Sequence, residues 1–163
     1  ALGVWRYDQR QEDIRDLTPA GDPDHSRAQG AYALAEGRLY GAAAPDGLQI
    51  DAFARLGLSD GDTTDFKGGW QAGVLMRQIF ASRPEGQLSF GLHQGWLSDK
   101  ARANFADAGL DPARHEEGLE LTYADTIGRF GIQPDIQLIR NPDGLRDADD
   151  VVVVSLRVTV PLF

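Results

Sequence analysis

Long runs of alternating apolar and polar residues dominate this chain, and that period admits few folds. The last run, Asp150-Val-Val-Val-Val-Ser-Leu-Arg-Val-Thr-Val-Pro-Leu-Phe163, alternates strictly from Leu156 onward. Leu156, Val158, Val160 and Leu162 fall on one side; Arg157, Thr159 and Pro161 fall on the other. A period of two is that of a β-strand with one apolar and one polar face. The run ends on Phe163, whereas the last residues of soluble domains usually fray in water. A membrane barrel ties its final strand into closure in this way, although a soluble β-sandwich also ends on strands.

About eight such runs are visible, near residues 2–10, 29–40, 48–59, 67–80, 86–97, 116–127, 131–140 and 150–162. Many exceed the usual strand length of about 5–6 residues and match the ~9–11 that a tilted strand needs to cross a bilayer. The connections have two lengths. Short ones include Ala44-Pro-Asp-Gly47, Ser82-Arg-Pro-Glu-Gly86 and the junction from Gly128 to Gly131; long ones run from Glu12 to Ala28 and from Leu97 to His115. Tight turns on one side and longer loops on the other are the asymmetry of outer-membrane barrels. The stretch Ser98 to Gly109 begins with a capping hydroxyl, is rich in Ala and ends in Gly, with Asp111-Pro112 following. It reads as one short loop helix near Asp99 to Ala108.

No run approaches the ~20 apolar residues of a spanning helix, and mean hydropathy is −0.34. Barrel strands escape that test because half of each is polar. With no cysteine there is no disulfide framework and no thiolate site. A formal charge of −9 argues against nucleic acid and against polybasic attachment to anionic lipid. No initiator Met or leader precedes Ala1, and Leu2 to Asp8 is already strand-like. Either a signal peptide was removed or the chain is cut from something longer, and the strand-like opening favours the cut.

Alternation assigns faces. Leu48, Ile50, Ala52, Ala54, Leu56 and Leu58 oppose Gln49, Asp51, Phe53, Arg55 and Gly57; Gly68, Trp70, Ala72, Val74 and Met76 oppose Lys67, Gly69, Gln71, Gly73 and Arg77. Leu119, Leu121 and Tyr123 oppose Glu116, Gly118, Glu120 and Thr122; Ile132, Pro134, Ile136 and Leu138 oppose Gln133, Asp135 and Gln137. Residues 29–40 are ambiguous, with Ala31, Ala33, Ala35 and Leu39 against Tyr32, Leu34, Glu36 and Arg38. Periodicity alone does not separate a soluble barrel from a membrane barrel turned inside out. Aromatics near run ends, Trp5, Tyr7, Tyr40, Phe80, Trp96, Tyr123, Phe130 and Phe163, suit an interfacial girdle.

Several segments taken in order are similar to the carbohydrate-selective porins of the OprB type. They are Gly30-Ala-Tyr-Ala-Leu-Ala-Glu-Gly-Arg-Leu-Tyr40, then Phe53 to Asp60 with the Gly68-Gly69 pair, then Gly91 to Asp99. Glu116-Glu-Gly-Leu-Glu-Leu-Thr-Tyr123, Ile132-Gln-Pro-Asp-Ile-Gln-Leu-Ile-Arg-Asn-Pro-Asp-Gly144 and Val151 to Phe163 continue it. The likeness is to the C-terminal half of that family. It implies an all-β, antiparallel transmembrane β-barrel of about eight strands, half of a barrel of about sixteen. It also implies passive diffusion of sugars across the bacterial outer membrane. Phe163 falls one residue out of phase with Leu162, and Pro161 marks a candidate bulge.

No catalytic constellation stands out. His25, His93 and His115 lack ligand spacing; Asp60-Gly-Asp-Thr-Thr-Asp65 lacks the frame of a calcium loop and reads as a turn; Asp147-Ala-Asp-Asp150 reads as an exposed acidic loop. No nucleophile elbow appears, and no cofactor or metal is expected. What remains is a set of charged and amide side chains: Asp51, Arg55, Gln71, Arg77, Glu120, Gln133, Asp135, Gln137 and Arg157. They solvate a barrel interior or line a sugar-permeable pore, which needs donors and acceptors that replace hydration without holding too tightly. The expected partners are outer-membrane lipids and mono- or oligosaccharides in transit, with no nucleic acid; a homo-oligomer stays open. The rival readings are a small eight-strand barrel acting as an anchor or enzyme, whose interior would be filled by side chains, and a soluble ligand-binding β-barrel.

Overall fold

The structure, a computed structural model, describes residues 1–41 and 47–161. The expected turn residues Ala44 to Asp46 and the end Leu162-Phe163 lie outside the described residues. In chain order the elements are β1 Leu2–Arg6, β2 Gln11–Leu17, β3 Pro23–Ser26, β4 Gln29–Tyr40, β5 Gln49–Ser59, β6 Phe66–Arg77 and β7 Gln87–Leu97. They continue with helix α1 Asp99–Asp107, β8 His115–Ile127, β9 Phe130–Arg140, a 3₁₀ turn at Pro142–Gly144 and β10 Val151–Thr159.

Eight strands form one antiparallel sheet in the order β1-β4-β5-β6-β7-β8-β9-β10, each hydrogen-bonded to the next. β1 and β10 stand at the two edges of this order, so the eight strands do not close on themselves among the described residues. Strand β6 has 12 residues; at ~3.3 Å each and a tilt of about 40° it spans roughly 30 Å of hydrocarbon. The expected first run is shorter than read, ending at Arg6, where Tyr7 N–H turns away to the Ala28 carbonyl. The segment read as a long loop from Glu12 to Ala28 contains a separate hairpin, β2–β3. Its sequence, Gln11-Glu-Asp-Ile-Arg-Asp-Leu17, has no alternation to announce a strand.

Register joins the apolar sides of all eight strands into one band. Val154 pairs with Ile136, Ile136 with Leu121, Leu121 with Phe90, Phe90 with Val74 and Val74 with Ala52. Residues facing each other across a ladder share a face, so the band runs without interruption. It also resolves β4. Ala31, Ala33 and Ala35 join the band, and a bulge after Arg38 sets Tyr40, not Leu39, opposite Ile50. A second bulge, between Phe66 and Gly68, uses Gly68 at φ +154°, a conformation that L side chains rarely adopt.

The band is not covered. Val154 is 74% and Leu156 63% exposed, and Val158 and Val160 are exposed beside them. The buried apolar side chains among the described residues are Ala28, Leu97, Ala101 and Ala113, gathered at the long-loop end. One buried leucine contributes about 1.5–3 kcal/mol, about what ordering two residues costs. Such a core does not hold a sheet of this size together in water. A soluble barrel would pack Leu156 and the valines into a closed interior, and this sheet does not.

Girdle side chains bound the band. Trp96 Nε1 donates to Gln94 Oε1 at 2.7 Å, Gln94 Nε2 donates to Glu117 at 3.4 Å, and Arg140 pairs with Glu117 at 3.1 Å. At the short-turn end Tyr123 Oη donates to Asp125 at 3.0 Å. Trp5, expected in the girdle, faces the other side of the sheet, opposite Gly30.

The long loops fold onto one another. Ser98 caps α1 by accepting from Ala101 N–H at 3.1 Å, within the expected helix bounds. The loop after β7 meets the loop after β9 where Ala113 N–H donates to the Gly144 carbonyl at 2.8 Å. Lys100 of α1 pairs with Asp13 of the hairpin, with Asp16 at 2.8 Å and with Asp62 at 2.9 Å. Asn104 Nδ2 donates to the Ile14 carbonyl at 2.7 Å, and Arg15 pairs with Asp107 at 2.8 Å. Burial pushes the Asp13 carboxyl up, but the Asp16 N–H, the Lys100 ammonium and the Arg15 N–H outweigh it and hold it below the usual carboxylate range. Burial likewise disfavours the Lys100 charge, yet its carboxylate partners hold it above the ordinary lysine value.

Two outcomes follow from this architecture. On the expectation that the band meets lipid, Val154→Arg should cost about 2–4 kcal/mol in urea titration of the bilayer-inserted protein, whereas Ser155→Arg on the opposite face should cost under about 1 kcal/mol. The hairpin should also loosen with acid. Asp13 is depressed in the folded state, so its stabilisation is present above the ordinary value of 3.8 and is lost as pH falls below it. Hydrogen exchange across Gln11–Leu17 should therefore accelerate at that pH, and in Lys100→Met already at neutral pH; equal protection in both states would remove the ion cluster's role.

Candidate functional site

The other face of the sheet carries the polar alternation. The ladders place Asp51 opposite Leu75, Arg55 opposite Gln71, Gln71 opposite His93, Arg77 opposite Gln87, Glu120 opposite Gln137 and Gln133 opposite Arg157. Asp135 faces Thr122 on one side and Ser155 on the other. The nine side chains singled out from sequence thus share one face, opposite the exposed apolar band.

Within that face the charges fall into two groups. On β4–β6, Asp51 accepts from Arg38 Nε at 2.5 Å and from the Arg77 guanidinium, one carboxylate between two cations. Arg55 on the same strand lies over the Phe53 ring, 5.2 Å from its centroid, a cation–π contact. On β8–β10 the Thr122 hydroxyl lies 2.7 Å from Glu120 and 2.9 Å from Asp135, its single proton serving two carboxylates. Gln137 Nε2 and Ser155 Oγ also donate to Asp135, at 3.2 and 3.1 Å. The structure therefore brings Asp51 to Arg77 and Glu120 to Asp135 and Gln137. Gln133 and Arg157 sit side by side on β9 and β10, one same-face position along from the Asp135–Ser155 pair.

Sequence reasoning missed three participants. Arg38 was hidden by the ambiguity of residues 29–40, which only the bulge after it settles. Thr122 and Ser155 carry the right alternation, but a hydroxyl between carboxylates becomes visible only when strands are in register. Of the histidines, His93 is on the polar face, its ring over Gly118; His115 is 3.8 Å from Glu117 at the girdle; His25 is in the hairpin. The stretch Asp60–Asp65 forms a turn in which Asp60 accepts from Gln29 N–H at 3.1 Å and Thr64 Oγ1 donates to the Phe66 carbonyl at 2.8 Å.

A family model for the carbohydrate-selective porins, OprB family, matches residues 1–162. The chain belongs to that family. It is accordingly a protein of the bacterial outer membrane, from a family of sugar channels. Among solved structures it is similar to Pseudomonas putida OprB in its high-pH structure, with a TM-score of 0.81 and 21% sequence identity. That match covers 96% of this chain and 43% of the other, so the chain spans less than half the length of the structure it resembles. At this identity the likeness carries the fold. No curated protein matches the chain.

The shared hydroxyl gives a test of the acidic group. Thr122→Val removes the donor between Glu120 and Asp135 and should cost about 1.5–3 kcal/mol in denaturant titration. Thr122→Ser should restore most of the loss, because it keeps the hydroxyl.

Proposed function

We propose that this chain forms part of the wall of an outer-membrane pore through which neutral sugars diffuse passively, with no catalysis and no cofactor. The observation that carries the reading is the two-faced sheet. An unbroken apolar band lies exposed on one side, and Asp51, Arg55, Gln71, Arg77, Glu120, Gln133, Asp135, Gln137 and Arg157 share the other. Family membership supports it. The band faces lipid and the polar side faces water in the lumen, where it lines the pore.

The edges support a wall larger than eight strands. Among the described residues β1 and β10 each have one ladder partner, and unpaired backbone N–H and C=O groups are costly in hydrocarbon. Further strands therefore complete the barrel on both sides. An eight-strand barrel closed on itself fills its interior with side chains and would serve as an anchor; the separated edges speak against it. Mono- or oligosaccharides are the species in transit and outer-membrane lipids the surroundings.

The mixed charge of the polar face suits uncharged solutes. A sugar's hydroxyls exchange water for amides, guanidinium groups and carboxylates that already accept hydrogen bonds from neighbours, so entry needs no large binding energy and exit stays fast. Liposome swelling with the full-length protein should show uptake of neutral monosaccharides. Asp51→Ala, which leaves Arg38 and Arg77 without their shared carboxylate, should shift reversal potentials toward anion preference; a reconstituted protein without sugar-dependent swelling would reject the channel.

A further inference from the structure

On the band side of the sheet, the row of residues next to the long loops is polar. Trp70 stands opposite Gln94, Gln94 opposite Glu117 and Glu117 opposite Arg140. Arg140 Nε in turn lies 3.6 Å from Asp150. Below this row a groove of about 300 Å³ is lined by Trp70, Leu92, Leu119 and Leu138, together with Glu117 and Arg140. Leu92, Leu119 and Leu138 face one another across the ladder, within the apolar band. Above the row a pocket of about 470 Å³ is lined by Lys67, Trp96, Asp99, Arg102, Arg114 and His115. Trp96 and His115 are paired on the band side, four residues along from Leu92 and Leu119. The pocket therefore stands over the groove on the same face.

The pocket's charge is the reverse of its surroundings. The chain carries −9 overall, and the neighbouring Lys100 faces three carboxylates. Here Lys67 and Arg102 share a single carboxylate, Asp99, at 3.2 and 3.5 Å, and that carboxylate is 78% exposed. Arg114 adds a third cation, itself exposed. The nearest other acid, Glu117, lies 3.8 Å from His115 but is held by Arg140 at 3.1 Å. Arg102 Nε is buried and has no hydrogen-bond partner among the described residues. A buried donor without an acceptor carries a free-energy cost that a bound oxygen would remove. Three cations against one carboxylate suit an anion, and guanidinium forks match the oxygens of phosphate.

We propose that this pocket and groove form a docking site for one lipid whose headgroup is a phosphate monoester, of the class in which a phosphorylated sugar carries acyl chains. Lys67, Arg102 and Arg114 hold the phosphate, Trp96 and His115 pack beside the headgroup, and one acyl chain lies along Leu92, Leu119 and Leu138. A phosphate monoester carries nearly two negative charges, which matches the excess of cations over Asp99. A zwitterionic headgroup would instead bring its ammonium against Arg114. The four residues from Leu92 to Trp96 span ~13 Å of strand, or about 10 Å of depth at a tilt of about 40°. That is enough to pass from acyl chains through an interfacial layer of ~5–8 Å. Long loops of outer-membrane barrels are extracellular, which places the site at the outer leaflet. The inference rests on the band facing lipid and uses nothing of the lumen.

The test uses the full-length protein, delipidated in detergent, with bound lipid counted by native mass spectrometry. The probes are a bis-phosphorylated, acylated glucosamine disaccharide, the same lipid stripped of its phosphates, and inorganic phosphate. The phosphorylated lipid should bind about 10–100-fold more tightly than its stripped counterpart, the range that two charge-assisted hydrogen bonds supply. Lys67→Gln with Arg102→Gln should bring the two lipids together. Should that pair fail to fold, Arg114→Gln alone, at an exposed side chain, should narrow the preference. Arg129→Gln, in the short turn between β8 and β9, should leave it unchanged. Swelling of liposomes by neutral monosaccharides should be the same in the glutamine variants as in the wild type, so a failed channel and a failed lipid site read out separately. Equal binding of the two lipids by the wild type, or a preference that survives loss of the three cations, overturns the site. So does displacement of the lipid by equimolar inorganic phosphate, or a preference lost equally in Arg129→Gln.

Discussion

The ladder of backbone hydrogen bonds is the interaction on which everything else here depends. In hydrocarbon no water is available to an open N–H or C=O, so each strand must be matched along its length by a neighbour. The central strands are antiparallel and paired along most of their length, interrupted by bulges after Arg38 and before Gly68. That pairing fixes register, and register fixes faces. A slip of one residue would send Val154, Ile136, Leu121 and Phe90 to the polar side and Asp135 and Glu120 into the apolar band. The fold thus has little need of a packed interior, and among the described residues its buried apolar side chains are few and gathered at the long-loop end.

The two ends of the sheet are handled differently for the same reason. Short turns need only reverse the chain, as Gly128 does at φ +64° between β8 and β9. The long loops stand in water and must find their own stability. They do so with a helix capped by Ser98, with Leu97 buried beneath Gly144, and with Lys100 gathering three carboxylates from two other segments. Ion pairs of this kind are weak when exposed. Here they form a network around one partly buried ammonium, and the carboxylate facing it is also held by backbone N–H groups.

On the polar face the same economy produces a chemical surface. Asp51 is neutralised by two arginines, and the carboxylates of β8 and β9 accept from a shared hydroxyl and two further neutral donors. Glycines opposite aromatic residues let rings lie against the sheet. The face is therefore polar and mixed in charge, with ring faces set at intervals along it.

Much of the sheet was legible before any coordinates. Alternation and turn residues located all eight strands of the main sheet, and seven of them within a few residues, because a strand half in lipid and half in water must alternate. Capping chemistry located α1 in the same way. The hairpin Gln11–Ser26 was not legible, since its strands are held by Lys100 and Asn104 from nearly ninety residues away rather than by a pattern of their own. The nine polar side chains fell on one face as read, but their grouping did not follow from sequence. Which carboxylate meets which arginine depends on strand order and on bulges after Arg38 and at Gly68. Sequence by itself determined the strands and most of their faces, because a period of two is a local property of the chain, and the family, because its motif segments follow in order. Tertiary structure alone decided which charges neutralise one another, which rings lie open over glycine and that β1 and β10 remain apart, because each is a relation between strands distant in sequence.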